Sequence, residues 1–227
     1  MVEKTESGAI LICITGVVGA GKTTLARKLG QALEATVVEE EVSGNELLES
    51  FYRDPDQYAL PVQARFLLSR FSQLRADRWP EEGIVVTDYL FDKDPLFAEL
   101  NLNSQELQSH RGLWQMLKDR VRRPNLVVYL QADGPFLLER IRQRDRPFER
   151  GIQLEYVERL AAGYEAMVSN YTNCPLLRVS SDAEPACNRR SWEALTKELI
   201  HNVPQLSGKL DGNCSNNNGY SPIGRLS

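Results

Sequence analysis

The chain is 227 residues long and 42% hydrophobic, with 27 basic against 31 acidic residues and a net charge of −4. That length fills one core of ordinary size and is short for two independent domains. The acidic balance, with a pI near 5.4, excludes the broad positive field that a nucleic-acid polymer requires, while a small anionic ligand needs only local positive charge.

The first structured signal is an apolar, β-branched run at 9–15 that stops at a glycine-rich turn and is followed by a helical stretch over 22–34. The whole apolar segment 9–18 is about half a membrane span and follows Glu3, Lys4 and Glu6, so it reads as a buried strand and not as a signal peptide or anchor. Further strands are expected at 36–38, 84–87, 126–130 and 176–179. Helices are expected at 45–52, 57–78, 104–122, 135–144, 154–171 and 190–202. Five short strands alternating with helices predict an α/β fold, a five-stranded parallel sheet with helices on both faces. From 204 to 227 the chain turns to Ser, Gly and Asn, a composition that does not offset its ordering entropy, so a disordered tail is expected behind a single domain at 1–203. The cysteines Cys13, Cys174, Cys187 and Cys214 share neither CxxC spacing nor close pairing. Reduced thiols in a cytoplasmic protein follow from that, and no membrane partner is expected.

Gly16-Val17-Val18-Gly19-Ala20-Gly21-Lys22-Thr23 fits GxxxxGK[ST], and it lies between a buried strand and a helix as the chemistry requires. Its glycines let successive backbone N–H groups converge on phosphate oxygens, and the positive end of the helix, entered through Thr23 and Thr24, adds to the attraction. Lys22 is placed to reach the β- and γ-phosphates of ATP, and the Thr23 hydroxyl to ligate Mg²⁺. The loop predicts nucleotide binding; alone it does not separate a kinase from a GTPase or a motor.

Two further groups point to phosphoryl transfer. Arg140, Arg142, Arg144 and Arg146 crowd the end of a helix that Pro147 terminates, forming a lid over 140–151 whose arginines can stabilise charge on a transferring phosphoryl group. Glu39, Glu40 and Glu41 end the second strand, where open α/β sheets place ligand sites. One of them is a candidate general base toward a hydroxyl. Asp88, at the end of the third strand, is placed to touch Mg²⁺ directly or through water.

With these parts together, the chain resembles the deoxyribonucleoside kinase family, which includes deoxyadenosine, deoxyguanosine and deoxycytidine kinases, over about residues 10–179. The resemblance puts the family's general base on Glu40 of Glu40-Glu41-Val42. The family's following proline is absent, which leaves Glu39 and Glu41 as alternatives. Leu48-Glu-Ser-Phe-Tyr52-Arg-Asp-Pro55 and Leu60-Pro-Val-Gln63 are similar to the segments carrying a sugar-binding tyrosine and a base-reading glutamine, roles that fall on Tyr52 and Gln63. The lid ends in Glu149, to which the resemblance gives the sugar 3′-hydroxyl. One departure stands out: the arginine that follows the acid after the third strand is missing, because the triplet reads Asp88-Tyr89-Leu90. Lys93 is a candidate to supply its charge.

Gln63 and Arg70 are seven residues apart on one helix face, with Phe66 and Leu74 on the same stripe as core. Gln63 offers a donor and an acceptor to a base edge, and Phe97 a ring to stack on it. Arg70 and Asp94 fall where the family's purine and cytidine kinases carry a base-reading pair, which favours deoxyadenosine or deoxyguanosine, then deoxycytidine, over thymidine. The resemblance also implies a homodimer built on helices. Two rival readings stay open from sequence: a thymidylate-type kinase, with Arg65 or Arg70 gripping the acceptor phosphate, and a nucleotide-binding accessory subunit without turnover.

Overall fold

The computed structural model describes residues 8–42, 46–181 and 189–210. Its centre is a five-stranded sheet of β1 (Ile10–Gly16), β2 (Thr36–Val38), β3 (Ile84–Thr87), β4 (Leu126–Gln131) and β5 (Leu176–Ser180) in the order β2-β3-β1-β4-β5. Every pairing is parallel. Helices cover such a sheet on both faces, and the inner strands β1, β3 and β4 accordingly read as near-continuous apolar runs, while the edge strands β2 and β5 are partly exposed. Alternation along β1 divides the core: Ile12 and Ile14 face one layer and Leu11 and Cys13 the other. The first layer holds α1 (Lys22–Leu33), α6 (Gly134–Arg144), α7 (Leu154–Ser169) and α8 (Arg189–Asn202), and the second holds α3 (Pro55–Leu74) and α5 (Ser104–Leu117). The predicted strands at 36–38 and 84–87 coincide with β2 and β3.

A third apolar cluster lies where α2 (Leu47–Arg53), α3 and α4 (Asp94–Asn101) meet, built on Leu48, Phe51, Ala59, Val62 and Ala98. It forms a floor beside the carboxyl ends of the strands. α4 is absent from the sequence reading because eight residues opening on Asp94-Pro95 look like a turn; proline here sits in the first helical turn, where its missing N–H costs nothing. Two helices are shorter than expected. Arg75 breaks α3 with φ −54° and ψ 123° and pairs with Val121, and the residues beyond each helix wind into 3₁₀ turns at Ala76–Arg78 and Lys118–Arg120.

The domain boundary at 203 is corrected. Pro204–Leu206 forms a 3₁₀ turn and Ser207–Leu210 a short helix, α9, with Leu206 and Leu210 buried in the same layer as α1 and α8. The apolar residues at every fourth position overrule the polar composition around them. The start of the helix expected at 45, the tail over 211–227, Cys187 and Cys214 lie outside the described residues. Among the described residues no helix is long and apolar enough to cross a membrane.

The folded role of this segment has a direct test. Leu206→Ala should lower unfolding stability in urea by about 2–5 kcal/mol, the range for emptying a buried leucine site, whereas a solvated tail would give no change.

Candidate active site

β1 runs out at Gly16, where φ is +146° and an added Cβ would stand 2.6 Å from the Leu130 carbonyl of β4. At Gly19, with φ +88°, a Cβ would come within 2.8 Å of the Leu137 carbonyl of α6. The loop therefore curls against both elements only because these positions carry no side chain. Lys22 Nζ donates to the Val17 carbonyl at 2.9 Å, folding across the loop, and the Thr23 hydroxyl donates to Asp88 Oδ2 at 2.5 Å. Desolvation, together with the nearby Lys93, pushes the Lys22 ammonium down to about 8. Buried Ser181, just past β5, donates to the Ala20 carbonyl at 2.6 Å and braces the loop from a residue that no motif flagged.

The three glutamates after β2 separate cleanly. Glu39 turns outward to a bidentate pair with Arg27 at 2.5 and 2.8 Å, and exposed Glu41 accepts from Ser69 at 2.7 Å. Glu40 turns in. Its backbone N–H donates to Asp88 Oδ1 at 2.7 Å, so one aspartate positions both Thr23 and the glutamate. Arg70 Nε lies 2.7 Å from Glu40 Oε1, and Lys93 Nζ lies 2.8 Å from both carboxylate oxygens. Burial opposes ionisation of Glu40, but Lys93 and Arg70 outweigh it and hold the carboxyl down at about 2. Lys93 is thus the cation beside Glu40 in a site that lacks an arginine after Asp88. Tyr89, in that arginine's place, is fully buried and donates to Gln73, which in turn holds the Glu39 carbonyl.

Around these groups lies a cavity of about 640 Å³, the size of an ordinary small-molecule site. The phosphate loop, Thr24 and Asp88 line it together with Tyr52, Gln63, Phe66, Arg70 and Phe97, and Glu40 links the two groups, bonded to Asp88 on one side and Arg70 on the other. Tyr52 packs edge-on to Phe51 and stacks on Phe148 of the lid, with ring centroids 6.2 Å apart. Buried Gln63 lines this space, and its Oε1 has no hydrogen-bond partner, an unmet valence that calls for one. Arg140, Arg144 and Arg146 reach the cavity from the lid, and Arg144 Nη2 grips both oxygens of Glu149 at 2.6 Å. Tyr156 and Tyr164 of α7 also line the wall, which sequence reasoning missed because both sit on an ordinary apolar stripe.

Three expectations need correction. Arg142 is exposed and does not line the cavity, since it lies two residues from both Arg140 and Arg144 on α6 and so points to the other side. Asp94 is fully buried and off the cavity wall. It accepts from Arg70 Nη1 and has His110 Nε2 at 3.0 Å on its far side, out of hydrogen-bond alignment. Phe66, expected as core, is half-buried against the third apolar cluster and also lines the cavity, with the Arg70 guanidinium 5.0 Å above its ring, while Leu74 is core as expected.

A glycine cradle after a central parallel strand, a lysine and threonine opening the next helix, an acid on the adjacent strand end and an arginine lid define a P-loop phosphotransferase. The chain belongs to the deoxynucleoside kinase family, whose model matches residues 12–203, and is an ATP-dependent phosphotransferase of that kind. It is 33% identical over 203 residues to the deoxyguanosine kinase of Bacillus subtilis, covering 85% of this chain and 98% of that protein. It is 34% identical over 185 residues to the deoxyadenosine kinase of Dictyostelium discoideum, covering 79% and 75% respectively. The fold superposes on deoxyadenosine kinase from M. mycoides with bound dATP at a TM-score of 0.73, with 23% identity, over 84% of this chain and 98% of that one.

The rival readings lose their supports. Arg65 is exposed and off the cavity wall, so it is not placed to grip an acceptor phosphate, and Arg70 lies beside Gln63 on α3 with Glu40 and Asp94 as its ion-pair partners. The accessory-subunit reading leaned on the missing arginine, and Lys93 occupies that role in space.

The depressed Lys22 ammonium gives a pH signature. In the free protein ATP should bind less tightly as pH rises through about 8, where Lys22 loses its proton, and Lys22→Met should bind weakly at every pH with that dependence gone. Calorimetric titration between pH 6.5 and 9.5 checks both.

Proposed function

We propose that the protein phosphorylates the 5′-hydroxyl of purine deoxynucleosides in nucleotide salvage, with Glu40 as general base. The observation that carries this is a single cavity lined by Lys22 and Thr23 together with Gln63 and Arg70, with Glu40 linking the two groups. The 5′ O–H proton passes to Glu40 as the bond from that oxygen to the γ-phosphorus forms and the bond from the γ-phosphorus to the bridging oxygen breaks. ADP and a deoxynucleoside 5′-monophosphate result. Lys22 and the arginines Arg140, Arg144 and Arg146 hold the phosphoryl oxygens, and lid closure excludes water.

The touching Thr23 hydroxyl and Asp88 carboxylate form a hard-oxygen pair that would hold Mg²⁺, which would supply neutralisation of phosphate charge there. Tyr52 and Phe148 frame the sugar, with Tyr52 leaving little room for a 2′-hydroxyl, and Glu149 takes the 3′-hydroxyl. Gln63 and Arg70 then face the base. The unpartnered Gln63 oxygen calls for a donor and Arg70 for an acceptor, and the Watson–Crick edges of adenine and guanine carry both. The named activities of the Bacillus subtilis and Dictyostelium discoideum relatives agree with a purine substrate.

We also place a homodimer interface on α3 and α5. The large exposed apolar side chains among the described residues, Leu68 at 49% and Met116 at 71%, lie on these two helices, whereas α8 buries Leu195 and Leu199 against its own sheet.

Turnover of labelled ATP with each deoxynucleoside should show transfer to deoxyadenosine or deoxyguanosine and little to thymidine. Glu40→Gln should lower kcat by about 10²–10⁴ with ATP affinity retained, the usual worth of a positioned base; wild-type kcat in that variant would remove Glu40 from the mechanism. Met116→Asp should convert the dimer to a monomer in light scattering with the circular dichroism spectrum unchanged.

A further inference from the structure

Arg70 serves two sites at once. It is 3% exposed, its Nε donates to Glu40 Oε1 at 2.7 Å, and its Nη1 donates to Asp94 Oδ2. The same guanidinium borders the cavity, two helical turns along α3 from Gln63 and above the Phe66 ring. Asp94 is fully buried and backed by His110. It therefore holds one edge of the guanidinium whatever happens at the other.

We propose that Arg70 ties nucleobase recognition to proton removal: a base whose acceptor atom engages the guanidinium draws it off Glu40 and leaves that carboxylate free to take the 5′ proton. This rests on the reading of the cavity as a deoxynucleoside site with Glu40 as its base. The resting arrangement is a poor one for catalysis. With Lys93 at 2.8 Å from both oxygens and Arg70 at 2.7 Å from Oε1, each carboxylate oxygen of Glu40 is already taken up by a cation, and none is open to a hydroxyl. Withdrawing Arg70 opens Oε1 to accept the 5′ O–H, while Lys93 stays to orient the carboxylate. Rotation about the Asp94 contact accomplishes this without stranding a buried charge, because Arg70 keeps an anion at every stage. Lys93 is less free to move, since its Nζ lies over the Phe97 ring at 5.4 Å as well as on Glu40.

Base identity should then appear in the rate of transfer and not only in affinity. The experiment compares single-turnover transfer at saturating nucleoside for deoxyadenosine and its 1-deaza and 7-deaza analogues, each lacking one ring acceptor. At least one analogue should transfer about tenfold more slowly than deoxyadenosine at saturation. In Arg70→Met the three substrates should transfer at one common rate whatever their affinities. Asp94→Asn, which removes the fixed anchor but keeps the side-chain shape, should bring deoxyadenosine down to the slow analogue's rate with ATP affinity unchanged. If the deaza analogues alter only KM in the wild type, with equal saturated rates, the coupling is overturned and Arg70 is a binding residue alone. If no deoxynucleoside accepts phosphate from ATP, the underlying reading of the cavity falls, an outcome distinct from equal rates.

Discussion

The site is organised around one carboxylate that the chain surrounds with positive charge. Glu40 ends β2 between Lys93 and Arg70, and Arg70 is shared with Asp94. The two acids and two bases sum to zero. Burying any of these ions singly would be prohibitive, whereas a closed set satisfies its own valences in a low-dielectric space. Removing one member leaves an uncompensated buried charge, which is why the segments that carry them, the end of β2, α3, the 3₁₀ turn Phe91–Lys93 and α4, must settle together. Asp88 joins this set to the phosphate loop, since it holds the Glu40 backbone and the Thr23 hydroxyl at once. The position of the acid relative to the donor nucleotide is thus set through a single side chain on the strand between them.

Polar residues do this work, and apolar ones give it a rigid frame. The cluster of Leu48, Phe51, Ala59, Val62 and Ala98 fixes α2, α3 and α4 against each other. Phe148 of the lid packs on that cluster beside Tyr52. The lid therefore has an apolar seat as well as the ionic grip of Arg144 on Glu149, and the two differ in character: the first is insensitive to salt, the second is screened by it.

Much of this was legible in the sequence. The strand at 84–87 falls where its apolar run starts and stops, because a strand buried on both faces has abrupt compositional edges, and the one at 36–38, half-buried at the sheet edge, was legible from its β-branched residues. The phosphate loop was legible because its chemistry constrains backbone and side chain within eight consecutive residues. The carboxylate site was legible only in part. Glu39, Glu40 and Glu41 look alike in sequence, and what separates them is which side of the strand end each leaves from and whether Arg27, Ser69 or Lys93 meets it. Lys93 carries its charge inward from a three-residue 3₁₀ turn, a geometry without a periodic signature. Asp94 and Arg70 were paired from the resemblance, but the burial of Asp94 behind Arg70 depends on α5 and His110, more than a dozen residues away in sequence. Arg142 failed for a simpler reason: charge density along a sequence does not say which side of a helix each charge occupies.

The bond between Ser181 and the Ala20 carbonyl spans 161 residues. A chain emerging from the ribosome exposes its phosphate-binding motif long before the partner that steadies that loop is made. The helix that follows the motif waits longer still, since Leu206 and Leu210 complete its packing layer. Contacts of such large sequence separation form late and cooperatively. A nascent chain therefore displays the motif before the residues that brace it exist.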